Sequence, residues 1–244
     1  MDNQNEIENM APMEAVSGSI LKTSVSFFLP KGWKWLMNKI YGKKLLVVGL
    51  GRSGKTSFKN YLLKGLLLNE NDTPKTSDHV VSEGSIININ NGSFEVQLKS
   101  LIDSPGQMGP LVQAEAVSTF NPHFLFVFLN CEKIEQSIEW FEDFTESLYS
   151  EFKNNLNLSI KIKSIIIILN KYDKITGHTT EDKQAKLKEF SEKIKSICID
   201  ELNEVYYKSS KQREVPIILP AICIKNYDAS KLLEEIINTL ASKI

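Results

Sequence analysis

Residues 44–63 read Lys-Leu-Leu-Val-Val-Gly-Leu-Gly-Arg-Ser-Gly-Lys-Thr-Ser-Phe-Lys-Asn-Tyr-Leu-Leu, and this stretch decides the fold. Leu45 to Val48 is a short apolar run of the kind that forms a strand buried on both faces. Gly49 to Thr56 fits G-x-x-x-x-G-K-[ST], and a helix is expected to open after Gly54 and run to about Leu68. Strand, glycine-rich turn and helix N-terminus together form a cradle for phosphate. The glycines let backbone N–H groups turn inward, and the helix end adds its positive partial charge. Lys55 is placed to reach the outer phosphates of a nucleotide, and Thr56 to offer its hydroxyl to Mg²⁺. Gly49, Gly51, Arg52, Ser53, Gly54, Lys55, Thr56 and Ser57 are therefore candidate nucleotide-binding residues.

Outward from this loop the chain alternates strand and helix. Ile86–Ile89 and Phe94–Ile102 read as two strands joined near Asn91-Gly92, a hairpin signal. Phe124–Leu129 and Ile165–Leu169 read as buried strands, with a helix from about Lys133 to Phe152 between them. A long helix is expected over Glu181–Tyr206, a strand over Val215–Leu219 and a last helix over Ala229–Ala241. The alternation implies an α/β domain of three layers. Its sheet is expected to have six strands, mostly parallel, with the hairpin supplying an antiparallel edge.

Asn170-Lys171-Tyr172-Asp173 follows the strand that ends at Leu169. An aspartate there accepts hydrogen bonds from guanine N1–H and its exocyclic amine, while the asparagine meets the other edge of the ring. Adenine offers that carboxylate no such donors, and a site built on such pairing rejects the wrong ligand by about 10⁴ or more. The motif selects guanine. Between the two motifs lies Leu101-Ile-Asp-Ser-Pro-Gly-Gln107. Asp103 ends a strand on the same sheet edge, where it can hold Mg²⁺ through water. Gly106 can present its N–H to a γ-phosphate, and Gln107 can orient an attacking water.

A phosphate loop, D-x-x-G-Q and N-K-x-D in this order resemble the Ras-like small GTPases, over residues 44–244. Residues 1–43, a polar tail and an amphipathic helix, precede that domain, and a helix before the first strand is similar to the Arf branch. The runs LLKGLLLNENDTPKTSD and LIDSPGQ also resemble the signal-recognition-particle receptor beta subunit. The resemblance implies a switch that binds GTP and GDP with Mg²⁺ and hydrolyses GTP slowly without a partner. It also implies an effector, an exchange factor or a GTPase activator. It implies a Mg²⁺-binding switch threonine, for which Thr76 is preferred over Thr73 within the loop 71–84. It implies a backbone contact to the base from Ala221, in the degenerate motif Pro220-Ala-Ile222. Lys55, Gln107 and Arg52 are the candidate catalytic groups. Arg52 stands where most Ras-like chains carry a small residue and where guanylate-binding and atlastin-type GTPases resemble this loop. It reads either as an internal arginine finger, completed by homodimerisation, or as a solvated arginine paired with an acid such as Glu83. A non-hydrolysing GTP-binding scaffold is the remaining alternative.

The 244 residues carry 29 Lys plus Arg against 30 Asp plus Glu, a balance that gives no electrostatic case for a nucleic-acid partner. The distribution is uneven: Ala15 to Asn69 holds ten basic residues and no acidic one. Phe27, Phe28, Trp33, Trp35 and Leu36 lie among those lysines. Residues 27–41 thus read either as a weak membrane-surface contact or as a helix packed on the domain. No run near the N-terminus approaches the ~20 apolar residues of a membrane span, and no secretory signal is evident. Residue 2 is not glycine and the C-terminus has no prenylatable cysteine, so lipid anchoring is not expected. The three widely spaced cysteines fit a reducing compartment. The expected location is cytoplasmic, either free or at the cytoplasmic face of a membrane.

Overall fold

A computed structural model describes residues 42–64, 78–83, 86–89, 94–97, 99–162, 164–207 and 217–222. The amphipathic helix expected before residue 43, the switch threonine candidates and the helix expected over 229–241 lie outside these residues.

The apolar runs become the middle of one sheet. β1 (Lys44–Gly49), β5 (Ser100–Asp103), β6 (Phe124–Asn130), β7 (Ser164–Asn170) and β8 (Ile217–Ile222) are parallel, in the order β5-β1-β6-β7-β8. β2 (Val80–Glu83) runs antiparallel along the β5 edge, pairing Val80 with Asp103 and Glu83 with Ser100. The antiparallel edge is therefore β2 and not the hairpin. β3 (Ile86–Ile89) and β4 (Phe94–Gln97) do form an antiparallel hairpin, but as a separate two-stranded sheet. The single strand expected over Phe94–Ile102 is two strands. Its first half pairs with β3, while its second half pairs with β1 and β2, so one straight strand cannot serve both.

Alternation along each central strand divides the core. Leu46, Val48, Leu125, Val127, Leu129, Ile165, Ile167 and Leu169 face one layer with Ile102. That layer is built from α2 (Pro110–Phe120), α3 (Ile134–Asn154) and α5 (Thr180–Ile197). α3 sets Trp140, Phe141, Phe144, Leu148 and Phe152 at helical spacing into this core, and Trp140 stacks on Phe144 at 5.0 Å. The intervening residues, Phe126 and Phe128 among them, are also buried. On their side Phe58 of α1 (Lys55–Lys64) packs its ring 5.4 Å from Phe126 and 5.1 Å from Phe128.

α2 was not expected, although Gly109-Pro110 supplies a start signal, with proline in the first turn. α4 (Leu156–Lys161) is a short turn of helix before β7. The long helix expected over Glu181–Tyr206 is instead α5 followed by a π-helical segment, Cys198–Tyr207. Its N-terminus is fixed by a capping box: Thr179 Oγ1 accepts from Asp182 N–H at 3.1 Å, and Thr179 N–H donates to Asp182 Oδ2 at 3.2 Å. The apolar stripe continues through buried Cys198 and Leu202, so periodicity alone does not mark the change of winding.

Candidate active site

Because the five strands are parallel, the ends of β1, β5, β6, β7 and β8 lie along one edge of the sheet, where crossovers leave a crevice. The phosphate loop leaves β1 through Gly49, whose φ of +141° belongs to glycine. A Cβ there would lie 2.2 Å from the Phe128 carbonyl oxygen. Gly54 turns the chain into α1 at φ +102°. Between them Arg52 holds a left-handed φ of 60°, which for a non-glycine residue costs about 1 kcal/mol or more.

Lys55 is buried, and its Nζ donates to the carbonyls of Gly49 and Leu50, each at 2.8 Å. Burial pushes its pKa down to about 8, opposed by the nearby charge of Asp103. Thr56, the next residue, donates from Oγ1 to Asp103 Oδ2 at 2.9 Å. Asp103 is fully buried, and Lys59, one turn further along α1, brings Nζ to 4.0 Å from the same carboxylate oxygen. Two hard oxygen donors thus converge where β1 and β5 end, a donor set that fits Mg²⁺ completed by phosphate and water. Among the described residues no group of three or more His, Cys, Asp or Glu could hold a metal alone.

The Asp103–Gln107 segment lies against the phosphate loop. Ser104 N–H donates to Val47 O at 3.0 Å. A Cβ built on Gly106 would meet Gly51 Cα and Lys55 Nζ, both at 2.6 Å, so only glycine allows this approach. Ser53 Oγ in the phosphate loop and Ser104 Oγ after β5 are buried with no hydrogen-bond partner among the described residues. Gln107 and Arg52 are exposed at the rim. The guanidinium of Arg52 makes no ion pair among the described residues, Glu83 included.

The guanine motif is joined directly to this loop. Asn170, buried at the end of β7, donates from Nδ2 to the Ser53 carbonyl at 2.8 Å. Lys171 takes a left-handed φ of 65° and pairs with Glu132 at 3.6 Å. Asp173 sits exposed in the 3₁₀ turn Tyr172–Lys174. The Cys131 thiol, at the end of β6, is pushed up to about 12 by burial and then by the Asp173 charge, and so is inert. Ala221 lies on β8 beside Ile222, whose register partner is Asn170. Ser57, half-buried, follows Thr56 on α1.

Gly49, Gly51, Ser53, Lys55, Thr56, Asp103, Gly106 and Asn170 therefore form one connected cluster. Thr76 lies outside the described residues. Two further residues at the site carried no motif: Lys59, and Gln113 on α2, which is fully buried and accepts from Gly49 N–H at 2.8 Å. The available signal was a lone amide among the apolar residues of Leu111–Val117.

No protein-family model matches the chain, and no curated protein matches it in sequence. Its fold is similar to that of Toc33 from Arabidopsis thaliana, solved as a dimerization-deficient arginine-to-alanine mutant. The TM-score is 0.60 at 13% identity, over 91% of this chain and 93% of that one. The signal recognition particle receptor SRb-GTP/SRX complex from Chaetomium thermophilum matches with a TM-score of 0.51 at 12% identity, over 80% of this chain and 97% of that one. A bacterial selenocysteine-specific elongation factor, EF-Sec, gives 0.49 at 15% identity; 84% of this chain is covered, spanning 29% of that protein. At these identities the likeness to Toc33 and to the SRb structure is one of fold.

Proposed function

We propose that the chain binds guanine nucleotide and hydrolyses GTP to GDP and phosphate with Mg²⁺, as a molecular switch. One observation carries the reading: Asn170 of N-K-x-D is hydrogen-bonded to Ser53 of the phosphate loop at 2.8 Å. A base held at Asp173 and phosphates held at Lys55 then belong to one ligand.

The roles follow from position. Lys55 neutralises phosphate charge from a site that excludes water, where each interaction is stronger than in bulk. Thr56 and Asp103 would hold Mg²⁺ between them, with Thr76 as a proposed further ligand. The ion would supply charge neutralisation on the transferring phosphoryl group. Gly106 offers its N–H to the γ-phosphate, and Gln107, exposed beside it, can orient water in line. Gly51, Gly54, Ser53 and Ser57 shape the cradle, Lys171 flanks the base plane, and Ala221 offers only its backbone. Loss of the γ-phosphate would release the Asp103 loop and residues 71–84, which is how hydrolysis becomes a signal to an effector.

A second reading rests on Arg52. An exposed guanidinium at the rim of a phosphate loop, held by a left-handed backbone and bound to no described acid, is available to a ligand or to a second copy of this chain. In a homodimer it would act as an arginine finger. No helix among the described residues is long and apolar enough to cross a membrane. Contact with a membrane surface is proposed for residues 27–41 alone.

Asp173→Asn tests the base assignment, because it replaces an acceptor with a donor. GTP affinity should fall at least 100-fold, and xanthosine triphosphate, which presents a carbonyl at that edge, should bind better to the variant than to the parent. Unchanged GTP affinity would refute the guanine reading.

A further inference from the structure

Gln113 makes more polar contacts than a core side chain needs. It is fully buried on α2, between apolar neighbours such as Ala114 and Val117. Its Oε1 accepts from Gly49 N–H at 2.8 Å. Its Nε2 donates to Met108 O at 2.9 Å, with Pro105 O and Gly49 O each at 3.3 Å. One amide thus bonds to the first glycine of the phosphate loop and to carbonyls on both sides of Gly106-Gln107. The Gly49 carbonyl it shares is also the acceptor for Lys55 Nζ at 2.8 Å. A buried amide is costly unless its bonds are made, and here they span two loops and not one helix turn.

We propose that Gln113 is a positioning residue that couples the phosphate loop to the Pro105–Met108 segment, and so sets the preference for triphosphate over diphosphate. The argument is geometric. Gly106 lies so close to Gly51 and Lys55 that a single Cβ would not fit, and Pro105 and Met108 are the carbonyls tied down on either side of it. Gln113 therefore fixes where the Gly106 N–H and the Gln107 side chain stand relative to Lys55. A γ-phosphate depends on that placement as well as on the phosphate loop, whereas a β-phosphate meets the phosphate loop alone, so losing Gln113 should cost the triphosphate more. The inference rests on the guanine-nucleotide reading above and adds to it a residue that no nucleotide motif contains.

The test is the ratio of affinities for GDP and for guanylyl imidodiphosphate, a non-hydrolysable GTP analogue, in the parent and in Gln113→Met. Methionine keeps the volume and removes every polar contact. The ratio should shift about tenfold toward GDP, the effect of losing one or two amide hydrogen bonds. A ratio that is unchanged, or shifted toward the analogue, overturns the inference while the parent's binding keeps the guanine reading intact. A parent that binds neither ligand overturns both. Where the methionine variant does not fold, Gln113→Asn provides the test. Its side chain is one methylene shorter, so it keeps the amide but cannot reach both loops, and its ratio should shift toward GDP in the same way. An unchanged ratio would count against the coupling.

Discussion

Lys55 is where burial and function meet at the scale of one residue. Its ammonium is held by two backbone carbonyls in a site that pushes its pKa from 10.5 down to about 8. Between those values the unfolded chain carries a proton that the folded chain has lost, so stability should rise with pH from about 8 to 10.5. Urea denaturation of the nucleotide-free protein at several pH values measures this, and Lys55→Met should flatten the rise. A slope unchanged in the variant would contradict the assignment. Phosphate favours the charged lysine, so nucleotide uptake above pH 8 should also take up a proton. Lys55, Thr56, Asp103, Gly106 and Asn170 were legible as single letters because each belongs to a motif whose chemistry dictates the residue type. Gln113 and Lys59 were not, since their roles depend on which loop a helix happens to face.

At the scale of elements, the apolar runs announced β1, β6 and β7 because a strand buried on both faces needs no polar alternation. β2 carries only Val80-Val81 as a signal, too short for any period to register, and so in sequence it looks like loop. Phe94–Ile102 looks like one continuous strand because sequence shows β-forming residues and not their partners. α2 was missed for a related reason: its buried positions are Gln113, Ala114, Ala116 and Val117, small or polar residues that make a weak stripe. Among the described residues, Phe58 links α1 to the sheet, buried against Phe126 and Phe128. Phe58→Ala should destabilise the domain by about 3–5 kcal/mol. Thermal unfolding would show it, and a loss below about 1 kcal/mol would mean that α1 is held by other contacts. Since α1 carries Lys55 and Thr56, nucleotide affinity should weaken with it.

At the scale of the whole described fold, a mostly parallel sheet collects three separated motifs at the edge where its parallel strands end. Alternation of strand and helix was enough to place that edge, because right-handed crossovers leave little topological freedom. The antiparallel edge falls on β2 and not on the hairpin, because pairing across the sheet is a long-range property that sequence does not display. Toc33 and the SRb structure share this architecture at 13% and 12% identity, so what is common is the scaffold, and ligand choice rests on this chain's own residues. The most direct measurement is single-turnover hydrolysis of GTP, with ATP as control, over a wide range of protein concentration. The account predicts slow GTP cleavage that requires Mg²⁺ and no measurable ATP cleavage. A rate constant that climbs with concentration, and stops climbing in Arg52→Ala, would assign Arg52 to a dimer; a flat one would leave an ordinary switch awaiting an activator. ATP cleaved as fast as GTP would contradict the central claim, because the carboxylate of Asp173 has nothing to pair with on adenine.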